Sequence, residues 1–148
     1  MGGRGARSAI GKNAIMHGTT GTVSRSAAAN ALKSGFSVKA AGGYHVKFTS
    51  RLNRKYMDGK GRLRGPSPER LYHLGQAVTA ARKANRGIFM LKGDNPPQIA
   101  FLHQTGKRSG MVVFADAETK VVRGFIAVKN VSKWENNLNI RKKGLPEP

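Results

Sequence analysis

The excess of cationic side chains limits how this chain can fold. Its 148 residues include 27 Lys and Arg against 7 Asp and Glu, a formal net charge of +20. Mutual repulsion at such a charge opposes compaction, so the excess is better explained as a field that attracts phosphate than as an aid to folding. The apolar content of 39% is enough for a modest core of about 100 residues with polar extensions. We therefore expect one domain that binds a polyanion.

An anionic membrane surface is the main rival partner. It usually shows in a sequence as a basic amphipathic helix with large apolar residues opposite the charges, and no such segment is visible here. The sequence also has no apolar run of the roughly 20 residues that a membrane span requires. The start, MGGRGARSAIGK, lacks the apolar centre of a secretory signal, and the absence of cysteine is compatible with a reducing cytoplasm. We expect a cytoplasmic protein without a membrane span.

The first half of the chain changes character twice. Residues 1–21 are rich in Gly, Ser, Thr and Arg without a sustained period, which predicts a flexible basic arm before a single domain at residues 22–148. A short helix capped by Ser24 or Thr22 is predicted to end at Gly35. The segment GYHVKFTS then alternates as a half-buried strand does. It places Tyr44, Val46 and Phe48 on the buried face and His45, Lys47 and Thr49 on the polar face.

Residues 51–66 mix cations with glycine, which is typical of a mobile basic loop. This loop supplies most of the predicted nucleic-acid contacts, namely Arg51, Arg54, Lys55, Tyr56, Lys60, Arg62 and Arg64. Residues 67–87 then carry apolar side chains at helical spacing, from Leu71 and Leu74 to Val78 and Ala81, before a stop at Gly87.

Consecutive apolar segments follow this helix: IFML, QIAFLHQ, and two strands joined by a turn at residues 116–120. Trp134 is predicted to anchor the polar tail on the sheet. A run of strands after helices favours an α+β fold, with helices packed on a mainly antiparallel twisted sheet of four to five strands.

The sequence offers no familiar site for metal or nucleotide chemistry. The acidic residues are scattered singly, the histidines are far apart, and neither an HExxH pattern nor a pair of nuclease carboxylates is present. No glycine-rich stretch follows a strand and opens a helix, as a nucleotide-binding loop does. There is no GxSxG pattern and no Cys nucleophile. We expect an activity that uses no metal, no small-molecule cofactor and no covalent intermediate.

These restrictions favour RNA over DNA. RNA carries its own nucleophile, the 2′-hydroxyl, so its cleavage needs only a base, an acid and cations around the phosphorus, whereas DNA hydrolysis usually needs a metal. A histidine with a pKa near 6.5 can accept the hydroxyl proton or protonate the leaving oxygen. Lys and Arg can stabilise the charge that builds on the phosphoryl oxygens.

The strand YHVKF, the basic segment, the helix and the closing run VVFADAETKVVRGFIAV resemble the barnase/EndoU/colicin/RelE-type nuclease superfamily. The resemblance covers roughly residues 44–128 and lies in the order of elements and in the closing hairpin. It implies a small metal-independent endoribonuclease that is a bacterial or phage-encoded toxin. It also implies an acidic immunity or antitoxin protein as a partner, and delivery into the cytoplasm of a target cell.

Two histidines carry the catalytic hypothesis. His45 shares the polar strand face with Lys47 and Thr49, and His103 opens the segment HQTGKRSG, in which Arg108 is a further catalytic candidate and Lys107 a phosphate contact. His73 sits beside the apolar stripe of the long helix and is interpreted as a boundary residue of that stripe. The alternative function is a non-catalytic RNA- or DNA-binding protein, either ribosome-associated or a phage packaging component. In that case the arm and loops would wrap the phosphate backbone while the sheet supports them.

Overall fold

The computed structural model describes residues 12–18, 23–50, 68–91, 96–136, 140–141 and 144–148. The chain forms the α+β fold that the sequence predicts, and within these ranges no helix is long and apolar enough to cross a membrane. Its elements are, in order, α1 (residues 12–16), α2 (Arg25–Ser34), β1 (Phe36–Lys39), a 3-10 turn (Ala41–Gly43), β2 (His45–Phe48), α3 (Pro68–Arg82), β3 (Gly87–Leu91), β4 (Gln98–Gln104), β5 (Gly110–Asp116), β6 (Val122–Val128), α4 (Val131–Glu135) and β7 (Ile140–Arg141).

The main sheet has five antiparallel strands in the order β6-β5-β4-β3-β7. The strands from β3 to β6 lie beside their neighbours in sequence, as hairpin connections require. Strands β1 and β2 form a separate two-stranded ribbon. A parallel bridge between Lys47 and Val121 joins this ribbon to the start of β6. Strand β1 was not predicted, and β2 does not belong to the main sheet.

Each face of the main sheet has its own apolar cluster. Ile99, Phe101, Met111 and Val113 belong to the larger cluster, which also contains buried residues of α1, α2, α3 and the β1–β2 ribbon. We call this side of the sheet its helical face. The opposite face packs Phe89, Ala100, Leu102 and Val112 against Val131 of α4.

Trp134 holds helix α4 on that opposite face. Its ring lies 6.3 Å from the ring of Phe89, nearly edge-on, and 6.3 Å from that of Phe114. The Arg86 guanidinium donates to both carboxylate oxygens of Glu135, at 3.0 and 2.6 Å, and thereby ties α4 to the segment before β3. The predicted role of Trp134 as an anchor is confirmed.

The predicted alternation along β2 is also confirmed. Val46 and Phe48 are buried while His45 and Lys47 are exposed, and the Phe36 ring of β1 stacks on Phe48 at 5.4 Å. Helix α2 begins where predicted, since the Ser24 hydroxyl accepts the Ala27 N–H at 3.1 Å. It ends at Gly35, whose φ of +78° is one that L side chains rarely adopt.

The prediction that residues 1–21 are a flexible arm is wrong for residues 12–18. Helix α1 buries Ile15 completely in the larger cluster, because the apolar run Ala14-Ile15-Met16 supplies enough surface to fix a short helix. After it, Gly18 turns with a φ of +84° and approaches α3 so closely that a Cβ would collide with the Thr79 hydroxyl. Residues 1–11 and 19–22 lie outside the described ranges.

The turn predicted between β5 and β6 forms around the carboxylate of Asp116, which is buried. Its Oδ1 accepts the N–H groups of Glu118 at 2.9 Å and Thr119 at 3.0 Å, and its Oδ2 accepts from the Arg123 guanidinium at 3.1 Å. The Thr119 hydrogen bond is the main cause that holds the pKa of Asp116 below its usual range, and Arg123 adds to it. The ionised carboxylate of Asp116 therefore stabilises the turn.

Candidate active site

A groove of about 820 Å³ opens between α3 and one end of the main sheet. One wall is the exposed side of α3, and the floor is the helical face of strands β4, β5 and β6. The groove is lined by Gly18 after α1, by Tyr72, His73, Gly75, Gln76 and Thr79 of α3, and by His103, Thr105, Ser109, Gly110, Met111, Ala127, Val128 and Lys129.

Helix α3 forms this wall because its two sides differ in composition. Leu71, Leu74 and Val78 are buried toward the sheet, at the spacing of one helical face. Tyr72 and His73 are exposed on the other side. The helix thus packs its apolar stripe into the core and turns a polar, aromatic side toward the groove.

The floor is a row of three side chains from neighbouring strands. The register pairs His103 of β4 with Met111 of β5, and Met111 with Ala127 of β6. His103 continues the alternation of Ile99 and Phe101, which are both fully buried on the helical face. His103 is half-buried. At this position the helical face of β4 leaves the apolar core and begins to line the groove.

Backbone hydrogen bonds on both sides of His103 fix its position. The Arg86 N–H donates to the Leu102 carbonyl at 3.1 Å. The Asn85 side chain accepts the Gln104 N–H at 2.7 Å and donates to the Gln104 carbonyl at 2.9 Å. The segment that follows α3 therefore holds the end of β4 in place. This fixes the distance between α3, which is the wall of the groove, and the sheet, which is its floor.

The surroundings of His103 favour its neutral form. Burial lowers the pKa of this imidazole below its usual value near 6.5, and the ammonium group of Lys83 lowers it further. A neutral imidazole has one ring nitrogen free to accept a proton. His103 is therefore suited to act as a base at neutral pH.

Replacing Lys83 by glutamine is expected to raise the pKa of His103. The substitution removes a positive charge that opposes formation of the imidazolium, while the burial that also lowers the pKa remains. The measurement is an NMR titration of the His103 ring protons in the complete chain, with Lys33→Gln on α2 as the matched control. An unchanged or lower pKa in Lys83→Gln would contradict the assigned cause.

His73 is the second imidazole of the groove. Its Nδ1 lies 3.2 Å from Oε1 of Gln76, one turn further along α3. This contact occupies Nδ1 and leaves Nε2 as the ring nitrogen available to a ligand. The Tyr72 ring meets the His73 ring edge-on with centroids 6.0 Å apart. Both neighbours restrict where this imidazole points.

Cations gather where the groove meets the β4–β5 hairpin. The hairpin loop is held by N–H donation from Thr105 and Gly106 to the Ser109 carbonyl, both at 3.1 Å. The Gln104 amide donates to the carbonyls of Gly106 and Lys107, and the Val131 N–H donates to the Arg108 carbonyl. The loop backbone is thus fixed while the side chains of Lys107 and Arg108 are exposed. Lys129 lines the groove itself.

The structure brings together only part of the catalytic set that the sequence predicts. His103, Arg108 and Lys107 share the hairpin end of the sheet, whereas His45 and Lys47 lie on the ribbon, where they face Lys39 and Ser37 across the strands. The ribbon adjoins Val121, while His103 lies in the row that ends at Ala127. At the rise of a β-strand, the stretch from Val121 to Ala127 spans about 20 Å.

His45 thus lies on the ribbon and outside the groove that His103 lines, so the structure does not bring these two catalytic candidates together around one site. The physical reason is that β2 pairs with β1 in a separate ribbon rather than joining the main sheet near β4. Thr49 follows β2 and is half-buried on the ribbon side. The predicted contacts Arg51, Arg54, Lys55, Tyr56, Lys60, Arg62 and Arg64 lie outside the described residues.

Sequence reasoning interpreted His73 as a boundary residue beside the apolar stripe of α3 and missed its part in the groove. The available signal was the spacing of His73, Gln76 and Thr79, which brings three polar side chains to one side of α3. The partner across the groove could not be read from that spacing. The identity of that partner depends on which end of the main sheet α3 packs against.

No family model, curated protein or solved structure matches this chain. Among the residues that the structure describes, no three His, Asp or Glu side chains are grouped so that they could hold a metal ion. The chemistry of the groove is thus the guide to function.

Proposed function

We propose that the chain is a metal-independent endoribonuclease whose active site is the groove between α3 and the β4–β5 hairpin. The observation that supports it is the presence of two imidazoles, His103 and His73, on the floor and wall of one groove. Transesterification of RNA requires one group to take a proton and another to give one, and histidine serves both roles near neutral pH.

In the proposed reaction, neutral His103 accepts the proton of the ribose 2′-hydroxyl. The 2′-oxygen attacks the adjacent phosphorus, a 2′-O–P bond forms, and the bond from phosphorus to the 5′-oxygen of the next nucleotide breaks. His73 in its imidazolium form gives its Nε2 proton to that leaving oxygen. The products are a 2′,3′-cyclic phosphate and a 5′-hydroxyl, and the two histidines exchange protonation states during the step.

The cations at the rim suit the charge that this reaction builds. Negative charge grows on the non-bridging phosphoryl oxygens as the 2′-oxygen attacks, and fixed positive groups stabilise it. Lys129 lines the groove, and the hairpin loop holds Lys107 and Arg108 next to Ser109. Lys83 also lies near enough to His103 to lower its pKa.

The test is cleavage of a single RNA oligomer in the presence of EDTA. We expect products that end in a 2′,3′-cyclic phosphate and a 5′-hydroxyl, identified by mass spectrometry. The matched control is the same oligomer with the attacking 2′-hydroxyl replaced by hydrogen at one position, where no cleavage is expected. A requirement for a divalent metal, or products with a 5′-phosphate, would contradict the proposed reaction.

A non-catalytic RNA-binding protein is the second candidate. The observation that favours it is the outer face of the β1–β2 ribbon, where Ser37, Lys39, His45 and Lys47 are all exposed. This face lies far from the groove and has the composition of a phosphate-binding surface. Tight RNA binding without any cleavage in the assay above would select this candidate.

The toxin assignment belongs to the same proposal. A ribonuclease active in the cytoplasm of a bacterial cell would need a partner that blocks it, and the charge of +20 favours an acidic one. An acidic immunity or antitoxin protein that covers the groove would shield both histidines and the rim cations together.

A further inference from the structure

Tyr72 is unusually exposed for an aromatic side chain. It leaves 61% of its surface in solvent, more than Ile126 at 48%, the next of the large exposed hydrophobic residues in the described ranges. The packing of α3 does not require it, because Leu71, Leu74 and Val78 form the buried stripe. Its ring lies on the rim of the groove against His73.

The interior beside Tyr72 combines apolar and polar surfaces. Met111 and Ala127 supply an apolar floor, while Gln76 and Ser109 place polar groups at its edges. The volume of about 820 Å³ is within the range of small-molecule sites. Such a site fits a flat ring that has apolar faces and hydrogen-bonding edges.

We infer that Tyr72 stacks on an unpaired nucleobase and that the substrate of the groove is single-stranded RNA. A nucleobase has two apolar faces and a polar edge, and aromatic side chains stack on it with little regard to sequence. Bases in a duplex are already stacked on both faces, so they cannot offer a face to Tyr72. This inference rests on the proposed function for the ribose chemistry, and it adds the class of RNA.

The position of Tyr72 also relates the stacked base to the scissile phosphate. Tyr72 and His73 are adjacent in α3, and their rings are in edge-on contact. A nucleotide whose base stacks on Tyr72 therefore has its phosphate within the part of the groove that His73 lines. Tyr72 acts as a positioning residue for cleavage and as a direct contact for binding.

The experiment measures binding of a single-stranded 2′-O-methyl RNA by fluorescence anisotropy, so that no 2′-hydroxyl is available for cleavage. The labelled oligomer has about 12 nucleotides, in the range of single-strand binding sites. The complete chain is compared with Tyr72→Ala, Tyr72→Phe and Ile126→Ala. Ile126→Ala is the matched control because it removes exposed apolar surface from the other face of β6. The same oligomer annealed to its complement provides the duplex.

Tyr72→Ala is expected to bind the single strand about tenfold more weakly, as the loss of one base stack predicts. Tyr72→Phe and Ile126→Ala are expected to bind like the unmodified chain, and no variant should change duplex binding. The slope of log Kd against log salt should stay the same in Tyr72→Ala, since the ring contacts no phosphate.

Unchanged single-strand binding by Tyr72→Ala would overturn the inference, and so would an equal loss on the duplex. A loss in Tyr72→Phe as large as in Tyr72→Ala would assign the effect to the hydroxyl group instead of stacking. If Tyr72→Ala weakened the binding of an acidic peptide as much as that of the single strand, the rim would be assigned to a protein partner instead. The oligomer cannot be cleaved, so this binding measurement does not depend on ribonuclease activity. The stacking inference and the proposed cleavage can therefore fail independently of each other.

Discussion

Replacing His103 by alanine is expected to lower RNA cleavage by about 100-fold or more, the usual contribution of one acid-base group. RNA affinity should change little, because phosphate contacts supply most of the binding free energy. The measurement is the single-turnover rate on an RNA oligomer, together with Kd for an uncleavable analogue. His73→Ala should show a loss of the same order, and the double variant should lose less than the product of the two, because the residues act in one step.

His45→Ala is the matched control for this prediction, since His45 is an exposed histidine on the ribbon, far from the groove. Its cleavage rate is expected to equal that of the unmodified chain. A large loss in His45→Ala, with full activity in His103→Ala, would move the active site to the ribbon. Growth of a bacterial host gives a second readout, because expression of the unmodified chain should arrest growth and expression of His103→Ala should not.

The pH dependence of cleavage follows from the same assignment. The base must be neutral, so kcat/KM rises with pH through the pKa of His103 in the free enzyme. Burial and Lys83 lower that pKa, which places the rising limb below the usual histidine value. Loss of this limb in His103→Ala would support the role of the imidazole, whereas an unchanged limb would exclude it.

The affinity for RNA is expected to fall by about three to five orders of magnitude between 50 and 200 mM salt, as for proteins that contact 6–10 phosphates. The described residues carry exposed cations on several elements, including Lys33, Lys39, Lys47, Lys107, Arg108, Lys129 and Lys133. Each phosphate contact releases condensed counterions, and added salt removes that entropic gain. The measurement is Kd for the uncleavable oligomer across a salt series.

Neutral replacement of Lys107 and Arg108 together should reduce the slope of this salt dependence. The same pair of changes at Lys33 and Lys133, which lie outside the hairpin loop, tests whether this loop contacts phosphate more than other cationic positions do. An affinity that does not vary with salt would contradict a phosphate-dominated interface. Equal slopes for all variants would exclude the loop from it.

Local patterns predicted the parts of this fold that depend on neighbours in sequence. Alternation identified the buried and exposed sides of β2, the residues Ser24 and Gly35 marked the ends of α2, and Asp116 marked the last turn. Strand β1 was missed because four residues directly after a helix carry too short a period, although Phe36 and Val38 alternate with Ser37 and Lys39.

The site required information that no local pattern contains. His103 was recognised because it follows an apolar strand and opens the segment HQTGKRSG, but the second imidazole of its groove, His73, was not recognised as a site residue. Whether β2 joins the main sheet or pairs with β1 depends on long-range packing, and so does the end of the sheet that α3 covers. His73 and His103 line one groove, and Asn85 after α3 binds the backbone of Gln104 next to His103, a contact between segments that no periodicity connects.

The walls of the groove come from widely separated parts of the chain: Gly18, helix α3, the β4–β5 hairpin and the end of β6. During synthesis, a nascent chain that has emerged only through β5 already contains His73 and His103. It still lacks Ala127 and Lys129, and without β6 the helical face of the sheet is incomplete. Domains generally fold as units once their last element is available. The proposed ribonuclease site is therefore incomplete until translation has passed Lys129, so the nascent chain does not expose the ribosome, itself largely RNA, to a complete groove.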